Sequence, residues 1–342
     1  MNRSRFLLSL FAGTTLLVLG ATAQAQTSSA LPANLAGDWA LTLANGGAGW
    51  LRLARGADGK ATASYLWGGG SVHPATGVDV SGRSVVVRHE RPETRRDSAG
   101  KVTWQGVAQV QLRVEPANEG IRIDFTVTRE GLPEERSSAT GRRQPPLPAR
   151  PDLARVQFGE PVSLLSGPGL KGWKLSREGR RNGWSLEDGI LRNRPEGGPG
   201  APWGDLQTEQ DFEDFRLQVE TRVPPKGNSG VYLRGQYEVQ VADSAGQSLG
   251  AHGMGAIYSR IAPARSVDRP AGEWQTMEIT MVDRHVTVVL NGETIIDNQP
   301  LEGCTGGALS SDVTAPGPIL LQGDHGPIEY RNLVLRPVVR KR

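Results

Sequence analysis

Cysteine is almost absent from this chain. Cys304 is the one cysteine among 342 residues, so neither an intrachain disulfide nor a thiolate metal cage can form. Flanked by Gly303 and Thr305, it reads as incidental rather than as a nucleophile. An excess of one charge is lacking too. The formal net charge is +3, and it falls to +1 without Arg3 and Arg5, so nothing calls for nucleic acid. Beyond the first twenty residues there is no long hydrophobic run. The apolar run over residues 6–19 follows Arg3 and Arg5 and precedes Ala23-Gln24-Ala25, a pair of small residues two apart. It is shorter than the ~20 apolar residues of a membrane span. Residues 1–25 therefore read as a signal peptide, cleaved at or near Gln26. No cysteine follows the run, so neither a lipid nor a membrane anchor is expected. The expected location is the periplasm or the outside of the cell.

Helical periodicity is also scarce. What is present instead is glycine and proline, 44 and 23 residues, between short alternating runs. That pattern predicts an all-β chain, long enough for two units with their own cores. Over residues 30–143 the strand candidates include Trp39-Ala-Leu-Thr-Leu43, Trp50-Leu-Arg-Leu53, residues 61–67, 84–89, 102–114 and 121–128. Their spacing predicts a small antiparallel sandwich or barrel. The Gly37-x-Trp39 opening is similar to that of lipocalin-like barrels. No catalytic constellation stands out here. His73 and His89 are isolated in sequence, and Trp50, Trp67 and Trp104 are read as core packing in preference to a sugar platform. Residues 144–151, Gln-Pro-Pro-Leu-Pro-Ala-Arg-Pro, form a connector that cannot continue a sheet, and the second unit is expected over 152–342, able to fold alone.

The second unit is organised around residues 227–243, Gly-Asn-Ser-Gly-Val-Tyr-Leu-Arg-Gly-Gln-Tyr-Glu-Val-Gln-Val-Ala-Asp. Alternation puts Val231 and Leu233 on one face, with Tyr232 and Arg234 on the other. In the next run Tyr237, Val239 and Val241 share a face, opposite Glu238 and Gln240. A sheet presents a sugar-binding or catalytic surface in this way. Phe215, Leu217 and Val219 alternate with Arg216, Gln218 and Glu220, and Asp188-Gly189 and Asn291-Gly292 mark hairpin turns. About a dozen strands and no helix predict two packed antiparallel sheets.

Residues 156–338 resemble the 3-keto-disaccharide hydrolase domain family. The resemblance is carried by Leu164 to Trp173, Trp184 to Leu191, Asp214-Phe215 with Glu220, Gly227 to Gln240, Gly255 to Tyr258, Gly272 to Trp274, Leu290-Asn291-Gly292 and Pro318 to Asn332. It implies a concanavalin A-like jelly-roll sandwich that cleaves glycosides oxidised to a ketone at C3. There are two departures. Gln275 stands where the family usually has Asn, and Gly323 is inserted into Leu321-Gln322-Gly323-Asp324-His325-Gly326, shifting His325 relative to its strand.

A 3-keto group acidifies the C2 proton. Base removal of that proton with loss of the aglycone, then addition of water, needs a base, an acid and a group on the ketone oxygen. Direct displacement by two carboxylates is the other route. Glu238 is the first candidate for acid or base, and Asp243 and His325 complete the expected catalytic set. Tyr232, Arg234, Gln240, Glu220, Tyr258 and His252 are the expected substrate contacts; His252 lies in a glycine-rich loop able to cover a cleft. Asp324 with His325 is the candidate site for a divalent cation. A solvated Arg234–Glu238 ion pair is the structural alternative for the central hairpin, and a non-catalytic lectin is the alternative function. The expected partner is a carbohydrate; the sequence carries no sign of oligomeric state.

Overall fold

The computed structural model describes residues 30–97, 99–195 and 203–339. The expected signal peptide lies outside them. The described chain is all-β, as its alternation predicts, with a single 3-10 turn at Leu153–Arg155. No helix among the described residues is long and apolar enough to cross a membrane.

The first unit is one nine-stranded antiparallel sheet in which chain neighbours are mostly sheet neighbours. The chain beyond the loop 68–72 pairs first with the strand Ala61–Trp67, through Ser64 and Tyr65, and then with the strand Ser84–Arg96. One stretch of chain thus joins both ends of the sheet, which curls around Leu41, Leu51, Leu53, Val85, Leu112 and Ile123. Of the two expected architectures, sandwich or barrel, the arrangement is barrel-like. Ser84–Arg96 runs beyond the expected end at His89, through Pro92. Past Arg88 this strand has a neighbour on one side only, so a residue without an N–H is tolerated there.

His73 and His89 are not isolated in space. Their rings lie 4.8 Å apart against Tyr65, where the two ends of the sheet meet. The three tryptophans form no platform. Trp67 stacks on Phe125 at 4.2 Å, Trp104 donates to the Glu130 carbonyl, and Trp50 is buried beneath Arg52 and Arg260.

The second unit is a sandwich of an eight-stranded and a five-stranded antiparallel sheet. Its core lies between them. Phe215, Leu217, Val219, Met277, Ile279 and Leu335 come from the larger sheet, and Val231, Leu233, Tyr237, Val239 and Val241 from the smaller. Burial of each such side chain contributes about 1.5–3 kcal/mol. Both expected turns form with φ positive at each central residue, 52° and 73° at Asp188-Gly189 and 51° and 89° at Asn291-Gly292.

The connector is fastened at both ends. Gln144 N–H donates to the Asp38 carbonyl, Arg284 donates to the carbonyls of Pro145 and Pro146, and Asn298 donates to that of Pro151. The two units also share a small apolar cluster of Ala48, Trp50, Leu66, Cys304 and Ala308.

Candidate active site

The outer face of the five-stranded sheet carries a cleft of about 330 Å³. Its floor is the hairpin of the strands Asn228–Leu233 and Tyr237–Ala242. Directly opposed residues share a face, and the register pairs Tyr232 with Glu238 and Gly230 with Gln240. The faces that hold Val231, Leu233, Tyr237, Val239 and Val241 point into the core, which leaves Tyr232, Glu238 and Gln240 to the cleft. Gly230 is required here, because a Cβ at that position would overlap the Glu238 carboxyl.

Glu238 is 3% exposed. Burial is the main cause that pushes its carboxyl up to about 8; Asp205 and Asp324 push the same way, against Tyr232 and His325. The Tyr232 hydroxyl lies 2.9 Å from Glu238 Oε2 and 2.8 Å from the Gly306 carbonyl. A carbonyl can only accept. The single phenolic hydrogen is thus shared between the Gly306 carbonyl and the Glu238 carboxyl. Burial outweighs the hydrogen bond from Tyr232 and favours a protonated Glu238 at neutral pH.

Around this floor stand groups from several other segments. The turn after the strand Leu320–Leu321 brings Gln322, Asp324 and His325. Asp324 accepts from His325 Nδ1, and this bond is the main cause that raises the imidazole above its ordinary range. Asp205 precedes the strand Leu206–Thr208 and accepts the Gly323 N–H at 2.9 Å; burial raises its carboxyl. The inserted Gly323 thus ties the His325 turn to Asp205, and a Cβ there would overlap the Gly204 carbonyl and Trp184. Arg177 and Arg180 add positive charge, and Tyr258 closes another side.

Of the residues expected from sequence, Tyr232, Glu238, Gln240, Tyr258, Asp324 and His325 line this cleft. His252 is exposed and stands beside it, its ring edge-on to Tyr258 at 4.9 Å. Three others lie elsewhere. Arg234 is not on the strand: its φ is 53°, in the turn after Leu233, and its guanidinium is buried toward the Ala315 carbonyl. The Arg234–Glu238 ion pair, the structural alternative for this hairpin, does not form. Glu220 belongs to the larger sheet, where Arg331 and Asn332 occupy its oxygens. Asp243 caps the turn before the hairpin by accepting the Lys226 N–H. Gln275 clamps the backbone of Arg269 and meets Asn291, away from the cleft. Among the described residues no three His, Cys, Asp or Glu side chains are grouped to hold a metal ion, so Asp324 and His325 are a pair without a third ligand of that kind.

Sequence reasoning missed Asp205, Asn228, Gln322, Arg177 and Arg180. Asp205 and Gln322 flank strands of two or three residues, too short for an alternation signal. Arg177 and Arg180 lie in an irregular segment that carries none.

Residues 160–336, just over half of the chain, match the family described as the 3-keto-alpha-glucoside-1,2-lyase-like domain. The chain belongs to this family. A curated relative, the 3-keto-disaccharide hydrolase of Bacteroides thetaiotaomicron, is 29% identical over 92 residues, which make up 26% of this chain and 31% of the relative. The match thus spans about a third of that relative's length. Two crystal structures described as candidate glycosyl hydrolases from Parabacteroides distasonis are similar. One is 28% identical, with coverage of 53% of this chain and 90% of that one and a TM-score of 0.42. The other is 24% identical, with 52% and 100% covered and a TM-score of 0.41. The matched family region holds the whole floor of the cleft, while the barrel-like unit lies outside it.

Proposed function

We propose that the protein is an exported enzyme that cleaves the glycosidic bond of 3-keto-glycosides by elimination across C1 and C2. The observation that carries this reading is Glu238, a buried carboxyl raised to about 8 on the floor of a polar cleft. Its neighbours there include a second carboxyl raised by burial and a histidine held by an aspartate. Perturbed titratable groups converging on one cleft favour an enzyme over a lectin.

In this reading His325, oriented by Asp324, takes the C2 proton. The freed electron pair forms the C1=C2 double bond, and the C1–O bond to the aglycone breaks. Glu238 gives its proton to the departing oxygen. The sugar leaves as an unsaturated ketone. Water added across that double bond, hydroxyl to C1 and proton to C2, makes the net reaction a hydrolysis; without that step the enzyme is a lyase. Gln240 Oε1 and Gln322 Oε1 have no hydrogen-bond partner among the described residues and are acceptors suited to sugar hydroxyls.

The test is to incubate the purified protein with one disaccharide in its 3-keto and its unoxidised form, and to repeat the first with deuterium at C2. Cleavage of the keto form alone, slowed by the deuterium, is expected. Equal cleavage of both forms, or no isotope effect under conditions where chemistry limits the rate, would sink the elimination route.

A further inference from the structure

The barrel-like unit has no part in the reading above, yet it reaches the cleft. Its loop 68–72 follows the strand Ala61–Trp67, and Gly69 and Gly70 line the cleft opposite the sandwich residues. The loop is docked at several points. The Gly307 N–H donates to the Gly68 carbonyl at 3.3 Å, and the Val72 N–H donates to Ser259 Oγ at 2.8 Å. Ser71 Oγ and His252 Nε2 are 2.9 Å apart. Gly306 and Gly70 are in such close approach that a Cβ on Gly306 would overlap the Gly70 backbone. The apolar cluster around Trp50, Leu66 and Cys304 fixes the base of this contact. Gln240 lines the same cleft, and its buried Oε1 has no hydrogen-bond partner among the described residues.

We infer that the loop 68–72 is a specificity element that walls one end of the substrate cleft, so that the oxidised sugar must be the terminal unit of its glycoside. The inference rests on the proposed function for the nature of the sugar. Its geometry is that of the Tyr232 end of the floor. There the segment carrying Gly306 and Gly307 closes over the hairpin, with Thr305 N–H on the Gln236 carbonyl and Leu309 N–H on that of Gly235, and the loop 68–72 backs it. A departing aglycone needs a way out, so the walled end takes the sugar and the aglycone occupies the side of His325. The volume points the same way, since about 330 Å³ lies at the low end of the ~300–1,000 Å³ typical of small-molecule sites. An internal sugar of a polymer would have to thread a second chain end through the docked loop.

The test measures binding by calorimetry in a Glu238→Gln background, in which turnover is slowed by about 10²–10⁴-fold. The two probes are a disaccharide with the 3-keto group on its non-reducing sugar and a trisaccharide with that group on its middle sugar. The parent is expected to bind the terminal form at least about tenfold more tightly, and deletion of Gly69 and Gly70 to narrow the gap to within about threefold. Gly69→Trp, at a position where a Cβ meets nothing within 4 Å, is expected to weaken binding of the terminal form with little change in melting temperature. A parent that binds both forms equally, or variants that leave the ratio unchanged, would overturn the inference. Terminal-selective binding without wild-type turnover would count against the proposed reaction and support the wall. Turnover with no terminal preference would do the reverse.

Discussion

Tyr232 and Glu238 face each other across neighbouring strands, with the phenol oxygen 2.9 Å from the carboxyl. The strand register makes this contact, and Gly230 leaves room for it. The same phenol reaches the Gly306 carbonyl, in the segment on which the first unit rests. The acid of the proposed reaction is therefore coupled to the wall of its own cleft.

Glu238→Gln keeps the shape of the side chain but has no proton to give. Turnover of a 3-keto-disaccharide is expected to fall by about 10²–10⁴-fold. The native carboxyl holds its proton up to about 8, whereas an unfolded one releases it near 4.5. Wild-type stability therefore declines as pH rises through that window. The variant escapes this decline, so its melting temperature should gain on the wild type between about pH 5 and 8. A gap that stays constant with pH would show that Glu238 is not buried as a neutral acid.

Tyr232→Phe removes a hydrogen bond that opposes the rise of the Glu238 carboxyl. The carboxyl should then hold its proton to still higher pH. In kcat/KM against pH the alkaline limb is expected to move upward from about 8, and an unmoved or lowered limb would refute the coupling.

Asp324→Asn removes the main cause of the raised His325 imidazole. If neutral His325 is the base, activity is lost as pH falls through its raised value, and the variant should carry that acid limb to lower pH. An acid limb unchanged by the substitution would assign the base elsewhere, with Asp205 next in line.

Gly230→Ala puts a methyl group where the Glu238 carboxyl stands. Overpacking of this kind costs about 1–3 kcal/mol. A lower melting temperature together with a loss of turnover is expected, since the carboxyl must move. Normal turnover would mean that the position of Glu238 does not matter to the reaction.

Glu220→Gln is the control. Its partners Arg331 and Asn332 are far in the fold from the cleft floor, on the larger sheet, and a half-exposed pair of this kind is worth about 0–1 kcal/mol. Turnover is expected within about twofold of wild type. A large loss of kcat at unchanged stability would bring Glu220 back into the site.

Alternation by itself determined the all-β class and the two faces of the central hairpin. A period of two is imposed by the strand backbone, so Val231, Leu233, Tyr237, Val239 and Val241 had to share the core and Tyr232, Glu238 and Gln240 the other side. Turn chemistry was equally local, as Asp188-Gly189 and Asn291-Gly292 show. Tertiary structure decided where the alternation stops and what meets across it. Arg234 has a positive φ and leaves the strand pattern one residue after Leu233, which no spacing reveals. Glu220 alternates as regularly as Glu238 but on the other sheet, since periodicity gives a face and not a neighbour. Asp205 joins His325 through the N–H of Gly323, and Gly70 joins Gly306, over more than a hundred residues of chain. Those contacts depend on how sheets pack and units dock, and that is a property of the whole core rather than of any stretch within it.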